Sequence, residues 1–307
     1  MNSWRASDIP DLTGSSAIVT GANAGLGFVT ATELARHGAA VVLAVRNVEA
    51  GADAAQRIRS ALPRARLAVH HLDLASLASV RAFASGVLER GDVVDLLVNN
   101  AGAQSLGPRR TTADGYEFHL GTNVLGHFAL TGLLLPALTR AAAARVVSLS
   151  SITHKRAHLD FDDLQAVRHF SAVRAYGASK LAATVFGLEL DRRLRRTGSA
   201  IVSALAHPGL ARSNFIDTAW SGRGRLGTAM GRLFAALATQ PTEQGALPTL
   251  RAATGLATGG AFFGPGGAGE RRGDVVAVRP SREAADPAVG ARFWSPAEDL
   301  TGVRYLD

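Results

Sequence analysis

The chain has 307 residues, 47% of them hydrophobic and 19% charged, which is enough apolar material for a large buried core. Its net charge of +8 comes from 33 lysines and arginines against 25 acids, and only three Tyr and three Trp accompany it, so we expect no nucleic-acid binding. The lack of cysteine excludes disulfides, thiolate metal sites and a cysteine nucleophile.

The sequence shows no run of eighteen consecutive apolar residues and no apolar core behind a basic end in residues 1–8. Such patterns mark membrane-spanning helices and secretory signals. We therefore expect a cytoplasmic protein without a membrane anchor.

The first βα unit carries a glycine-rich turn. Residues 17–20 form an apolar strand, Gly21, Gly25 and Gly27 follow, and a helix is predicted over 29–37. Backbone N–H groups at a helix N-terminus receive phosphate, and glycines let the backbone approach it closely. The spacing G-x-x-x-G-x-G differs from the usual dinucleotide fingerprint, but its place between strand and helix predicts a nucleotide site.

A second strand, 40–45, ends at Arg46 and Asn47. In dinucleotide folds this strand end meets the adenosine ribose, where an acid would repel a 2′-phosphate. Val45 stands where the acid would be, and Arg46 offers a planar cation suited to phosphate. The pattern favours NADP(H) over NAD(H); the alternative is that Arg46 merely begins a surface helix.

Further strands are predicted over 67–72, 93–98, 145–151 and 199–206, with helices between them and a short final strand within 259–267. This order predicts an α/β protein: one Rossmann-fold domain over 1–307, with a doubly wound parallel sheet of about seven strands and helices on both faces. Ligands bind at the strands' carboxyl ends. Asp73 there could accept from the adenine amino group, cap the helix starting near Leu77, or do both.

Three polar side chains stand out in helical segments. Asn123 lies in an apolar helix predicted over about 115–135 and serves either a buried hydrogen bond or a functional role. Tyr176 and Lys180 share one face of a helix over 175–196. An ammonium beside a phenol favours the phenolate and can anchor a sugar hydroxyl, yet by itself this pair is common on helices.

Two charged segments have plainer interpretations. His154, His158 and the acids up to Asp163 show no spacing that converges on a metal, so a solvated loop and no metal site are predicted. The arginine-rich stretch 192–196 ends a helix and is predicted to be solvated.

Taken together, these motifs resemble the short-chain dehydrogenase/reductase family in content and order. The resemblance is closest to the branch of retinol dehydrogenases, the WW-domain oxidoreductase and light-dependent protochlorophyllide reductase. It rests on Val45-Arg46-Asn47, the long gap between Ser151 and Tyr176, and the tail segments Phe262-Phe263-Gly264-Pro265, Pro280-Ser281 and Arg292-Phe293-Trp294.

The resemblance implies roles for individual residues. Tyr176 would be the general acid or base, Lys180 would lower its pKa and hold the nicotinamide ribose, and Ser151, with Ser150 as the alternative, would bind the substrate oxygen. Asn123 would hold a water linking Lys180 to solvent. The implied cofactor contacts are Gly21, Asn23, Ala24, Gly25, Leu26, Gly27, Arg46, Asn47, Asp73, Leu74, Asn100, Ala101, Gly102, Tyr176, Lys180, Pro208, Gly209, Leu210 and Ser213.

The implied activity is hydride transfer between NAD(P)(H), with NADP(H) preferred, and an apolar ketone, aldehyde or alcohol. Apolar residues within 210–240 predict a substrate lid, or else a packing surface. A homodimer or homotetramer would pair through the helices that bear Asn123 and Tyr176. The alternative function is a cofactor-binding regulatory protein whose catalysis has decayed.

Overall fold

A computed structural model describes residues 3–211 and 239–306. Its sheet has eight strands in the order β3-β2-β1-β4-β5-β6-β7-β8, all parallel except the last. The strands are β1 Ser16–Thr20, β2 Ala40–Val45, β3 Leu67–His71, β4 Leu96–Asn99, β5 Arg145–Leu149, β6 Val202–Ala206, β7 Phe262–Pro265 and β8 Val275–Ala277. The doubly wound α/β fold is confirmed.

The antiparallel edge strand β8 was not expected from the sequence. It has three residues, of which only Val275 is buried, so it carries neither the apolar run nor the alternation that indicates a strand. It pairs with β7.

The helices lie on both faces of the sheet. They are α1 Gly25–Arg36, α2 Val48–Ala61, α3 Leu77–Glu89, α4 Phe118–Leu120, α5 Gly126–Thr139, α6 Ala172–Arg196, α7 Thr242–Thr254, α8 Arg282–Ala285 and α9 Pro287–Thr301. A π-helical turn, Gly121–Leu125, joins α4 to α5 where the sequence predicted a regular helix. α1 begins at Gly25, four residues earlier than predicted, because the glycine-rich turn runs directly into the helix.

Two apolar cores lie on opposite faces of the sheet. One contains Phe83 of α3, Phe128 of α5 and Phe186 of α6. The other contains Leu34 of α1 and Leu250 of α7. Burial of this apolar surface holds the helices on the sheet and fixes the strand ends that carry the polar residues.

The helical stretch Phe118–Thr139 is long and apolar enough to cross a membrane by length and composition. Within the protein, 72% of its most apolar window is buried. Its apolar surface is thus used in packing, as in the central helix of a folded core.

The C-terminal helix α9 fills the groove between α5 and α6. Trp294 packs against Phe128 at 4.9 Å and Phe186 at 6.1 Å between ring centroids. Arg193 stacks over the Trp294 indole at 4.4 Å, so the arginine-rich end of α6 is not wholly solvated as predicted. The helices that were expected to pair two subunits are therefore covered by α9 of the same chain.

Candidate active site

The strand order reverses between β1 and β4, and the carboxyl ends of these neighbours hold the predicted cofactor residues. The Thr20 hydroxyl accepts from the backbone N–H groups of Asn100, at 3.0 Å, and Ala101, at 2.9 Å. The Asn100 side chain donates to the Thr20 carbonyl at 2.7 Å. These bonds join the two strand ends into one edge.

The glycine-rich turn packs tightly beneath this edge. A Cβ on Gly27 would lie 2.4 Å from the Asn100 side-chain nitrogen and 2.5 Å from the Gly21 carbonyl oxygen. At Gly25 the φ angle is +57° and an added Cβ would meet no atom within 4 Å, so the backbone faces open space. Ala24 offers no capping side chain to α1, which leaves the first N–H groups of the helix for another acceptor. A dinucleotide pyrophosphate fits these observations.

Arg46 and Asn47 follow β2 at the expected place. Arg46 is exposed. Asn47, in contrast, caps α2 by accepting from the backbone N–H of Ala50 at 3.0 Å. The side-chain oxygen of Asn47 is therefore used by the helix. A cofactor contact from Asn47 would involve its side-chain nitrogen or its backbone.

Asp73 does not cap the helix that follows it. Its carboxylate accepts from the backbone N–H of Ala75 at 2.9 Å, while Ser76 caps α3 by accepting from Ser79. The capping interpretation of Asp73 is therefore wrong. Leu74 is buried against Gly126, where a Cβ would meet the Leu74 carbonyl at 2.4 Å.

Tyr176 and Lys180 lie one helical turn apart on α6. Lys180 is buried, and its ammonium donates to the carbonyl of Leu149 at the end of β5 at 3.2 Å. Burial lowers the pKa of Lys180 to about 8. Burial raises the pKa of Tyr176, and a hydrogen bond with Ser151 opposes that rise. The net direction is upward, whereas the resemblance implied lowering by Lys180, because burial of the phenol dominates.

The structure separates the two candidate serines. Ser151 caps the 3₁₀ helix Ile152–Arg156, and its hydroxyl lies beside the Tyr176 phenol, where it acts to lower the phenol pKa. Ser150 is buried and hydrogen-bonds the Thr184 hydroxyl at 2.6 Å and the Lys180 carbonyl at 3.2 Å. Ser151 thus faces Tyr176, and Ser150 faces the body of α6.

Asn123 lies in the π-helical turn and makes buried hydrogen bonds. Its oxygen accepts from the Ala103 backbone N–H at 2.7 Å, and its nitrogen donates to the Ala103 carbonyl at 3.0 Å and to the Ser179 hydroxyl at 2.9 Å. π-helical turns are often found at functional sites. Gly102 lies close by: a Cβ there would be 3.2 Å from the Lys180 nitrogen.

The segment after β6 is held by the C-terminal part of the chain. Gly209 has a φ of +62°, and a Cβ there would meet the Arg271 carbonyl oxygen at 2.4 Å. The Leu210 backbone N–H donates to the same oxygen at 2.8 Å. Pro208 directly precedes this turn. Ser213 and most of the predicted lid lie outside the described residues.

Two buried histidines near this edge were not expected from the sequence. The His154 imidazole hydrogen-bonds the Ser151 carbonyl at 2.6 Å, and so it does not lie in a solvated loop as predicted. The His207 imidazole accepts from the Gly209 N–H at 3.2 Å and hydrogen-bonds Glu270 at 2.9 Å. Burial lowers the pKa of His207 to about 4. The sequence held one signal for each: His154 stands three residues after Ser151, and His207 stands directly before Pro208-Gly209.

A doubly wound sheet with an uncapped phosphate-type turn after its first strand, and a Tyr–Lys pair beside the reversal point, defines a dinucleotide-binding oxidoreductase. The family described as short chain dehydrogenase matches residues 15–223. The chain belongs to this family and is an NAD(P)-dependent oxidoreductase.

Similar proteins cover nearly the whole chain. Human retinol dehydrogenase 13 is 40% identical over 297 residues, which span 95% of this chain and 86% of that protein. Mouse polyprenol dehydrogenase is 40% identical, covering 97% and 87%. The crystal structure of an uncharacterised Mycobacterium paratuberculosis protein has 38% identity, covers 99% of both chains and superposes with a TM-score of 0.82. The similarity to retinol dehydrogenases expected from the sequence is confirmed.

Proposed function

We propose that this protein is an NADP(H)-preferring oxidoreductase that interconverts an apolar alcohol with its ketone or aldehyde, with Tyr176 as the proton-transfer group. One observation carries the proposal. The Ser151 hydroxyl lies beside the Tyr176 phenol and acts to lower its pKa, and both residues lie beside the strand ends at which the family binds its cofactor.

The nicotinamide supplies or accepts the hydride. In the reducing direction, Tyr176 donates its phenolic proton to the carbonyl oxygen, and in the oxidising direction it takes the alcohol proton. Because burial raises its pKa, Tyr176 holds its proton at neutral pH and is poised as the acid for reduction.

Ser151 and Lys180 support the proton transfer. The Ser151 hydroxyl can donate to the substrate oxygen and stabilise negative charge that develops there. Lys180, held by the Leu149 carbonyl, brings a positive charge to this edge and would hold the nicotinamide ribose. Asn123 bonds the Ala103 backbone and the Ser179 hydroxyl, and a water held there would link the Lys180 ammonium to solvent.

Cofactor preference is inferred from Arg46. Its guanidinium is exposed at the end of β2, and among residues 3–211 and 239–306 it has no hydrogen-bond or ion-pair partner. A guanidinium free of carboxylates suits the 2′-phosphate of NADP(H).

The proposed substrate class follows from similar proteins and the sequence. The relatives are named for retinol and polyprenol, which are apolar alcohols. In this chain the segment 210–240, most of it outside the described residues, contains Phe215, Ile216, Trp220, Leu226, Met230, Leu233 and Phe234. We infer from this composition and from the relatives' names that the substrate is apolar.

The test is a screen of apolar aldehydes, ketones and alcohols in which nicotinamide absorbance is followed. We expect turnover by the wild type and a loss of about 10²-fold or more in Tyr176→Phe, with NADPH affinity retained. Binding of NADPH without turnover of any substrate would instead support the regulatory alternative. Turnover undiminished in Tyr176→Phe would refute the role of the phenol.

A further inference from the structure

Two buried polar residues precede Asn123: Glu117, which caps α4, and His119, which lies within α4. They are only 2% and 1% exposed. Buried ionisable groups are costly unless they are paired. No sequence motif marks them, although His119 stands four residues before Asn123, at the spacing that places two side chains on one helical face.

The hydrogen bonds of His119 fix its tautomer. The backbone N–H of Ser105 donates to Nε2 at 3.0 Å, so this nitrogen carries no proton. Nδ1 therefore holds the proton and donates it to Glu117 at 2.8 Å. The other Glu117 oxygen accepts from the Leu120 N–H at 2.8 Å. With both ring nitrogens committed, His119 exchanges no proton with Tyr176.

His119 contacts the proposed acid–base residue and its surroundings. The His119 ring meets the Tyr176 ring edge to face, with centroids 6.0 Å apart. Ser105 belongs to the loop after β4, which Asn123 also holds through both backbone groups of Ala103. One helical stretch therefore fixes this loop at two points, two residues apart, and also packs against Tyr176 of α6.

We propose that Glu117 and His119 are positioning residues for the proposed reaction: they fix residues 103–105 through the bond to Ser105 and thereby the surroundings of Tyr176 that proton transfer requires. This inference rests on the proposed function. Small displacements matter here, because a shift of about 1 Å in a reacting group can lower a rate about 10²-fold. His119 acts on the Ser105 backbone, and Glu117 acts by orienting His119.

Three variants separate the contacts of His119. Asparagine places a nitrogen near Nδ1 and keeps the bond to Glu117, glutamine places an oxygen near Nε2 and keeps the bond from Ser105, and phenylalanine keeps only the ring contact. We expect His119→Gln to retain kcat within about threefold, and His119→Asn and His119→Phe to lose about tenfold or more. KM for NADPH should change less than about twofold in all three.

The stability control is Tyr305→Phe, which removes a buried hydrogen bond to the Phe128 carbonyl away from the site. Tyr305→Phe shows how much kcat falls when thermal stability alone is reduced. If the three His119 variants lose no more kcat than their loss of thermal stability explains by this comparison, the pair is structural only and the proposal is overturned. Equal losses in His119→Gln and His119→Asn would also overturn it.

A second readout needs no substrate. The wild type and each His119 variant are titrated by ultraviolet absorbance with and without an added Tyr176→Phe substitution. Proteins with Tyr176→Phe contain only Tyr116 and Tyr305, so the difference between the two curves is the titration of Tyr176. We expect His119→Asn and His119→Phe to move the Tyr176 titration toward the ordinary phenol range, because a released 103–105 loop admits water, and His119→Gln to leave it unchanged. An unchanged titration in all three overturns the positioning role. Shifted titrations in a protein that turns over no substrate would instead refute only the proposed function.

Discussion

The hydroxyl of Ser151, just after β5, lies beside the phenol of Tyr176 on α6 and acts to lower its pKa. Its neighbour Ser150 points the other way, toward Thr184. Two adjacent serines thus have opposite surroundings, one at the site and one in the core.

This difference predicts opposite effects of two alanine substitutions. We expect Ser151→Ala to lower kcat about 10²-fold, because it removes a donor to the substrate oxygen, and to cost only about 1 kcal/mol of stability through the lost cap of Ile152–Arg156. Ser150→Ala should keep kcat within a few-fold and lower the free energy of unfolding by about 1–3 kcal/mol, since Thr184 loses a buried partner. Steady-state kinetics and urea unfolding measure both; a reversed pattern would reassign the serine role to Ser150.

Lys180 should make the fold less stable at neutral pH. Its pKa is about 8 in the folded protein, below the ordinary 10.4 of an exposed lysine. Below pH 8 both states hold the proton and the cost of the buried charge is complete. Between pH 8 and about 10.4 the unfolded state binds more protons, so stability rises with pH.

Replacing this lysine should therefore stabilise the protein while abolishing turnover. We expect Lys180→Met to raise the free energy of unfolding by about 2–3 kcal/mol at pH 7, with the gain shrinking toward pH 10. The matched control is Lys155→Met, because Lys155 is partly exposed and pairs with Glu270. A gain that is the same at pH 7 and pH 10 would show that the buried charge is not the cause.

Two glycines with the same backbone strain test the phosphate turn. Gly25 and Gly91 have φ angles of +57° and +70°, and an added Cβ meets no atom within 4 Å at either. Each alanine substitution should cost about 1 kcal/mol of stability. Only Gly25→Ala should weaken NADPH binding, about tenfold or more in fluorescence titration, because its Cβ enters the space assigned to pyrophosphate. Equal NADPH affinity of the two variants would contradict that assignment.

Arg46 provides the test of cofactor preference. We expect the wild type to bind NADPH more tightly than NADH, and Arg46→Ala to weaken NADPH binding about tenfold or more while leaving NADH binding nearly unchanged. Arg64→Ala, an exposed arginine before β3, controls for the loss of one positive charge. Equal affinity of the wild type for the two cofactors would overturn the preference.

The covered groove between α5 and α6 bears on assembly. Pairing through these helices was expected from the sequence, but Trp294 and Tyr305 occupy the groove, and a Cβ on Gly132 of α5 would lie 2.4 Å from the Tyr305 ring. We expect the chain to sediment as a monomer of 31.9 kDa. Trp294→Ala should lower the free energy of unfolding by about 3–5 kcal/mol. A stable dimer at micromolar concentration would show that another face pairs.

The order of strands and helices, the place of the glycine-rich turn and the four-residue spacing of Tyr176 and Lys180 followed from the sequence alone. Each depends on neighbours along the chain: apolar periodicity, the conformational freedom of glycine, and the repeat of the α-helix. The edge strand β8 and the π-helical turn at Asn123 lacked such a local signal, because one is three residues long and the other is a small distortion within a helix.

Only the tertiary structure decided which serine faces Tyr176, that His154 is buried, that His119 holds the loop after β4, and that α9 covers α5 and α6. Each depends on contacts between residues far apart in the chain, and no local pattern reports them. The same holds for the direction of the Tyr176 pKa. Sequence places a lysine one turn away, but the burial that raises the pKa of Tyr176 against the opposing effect of Ser151 arises only when the strand ends and helices pack together.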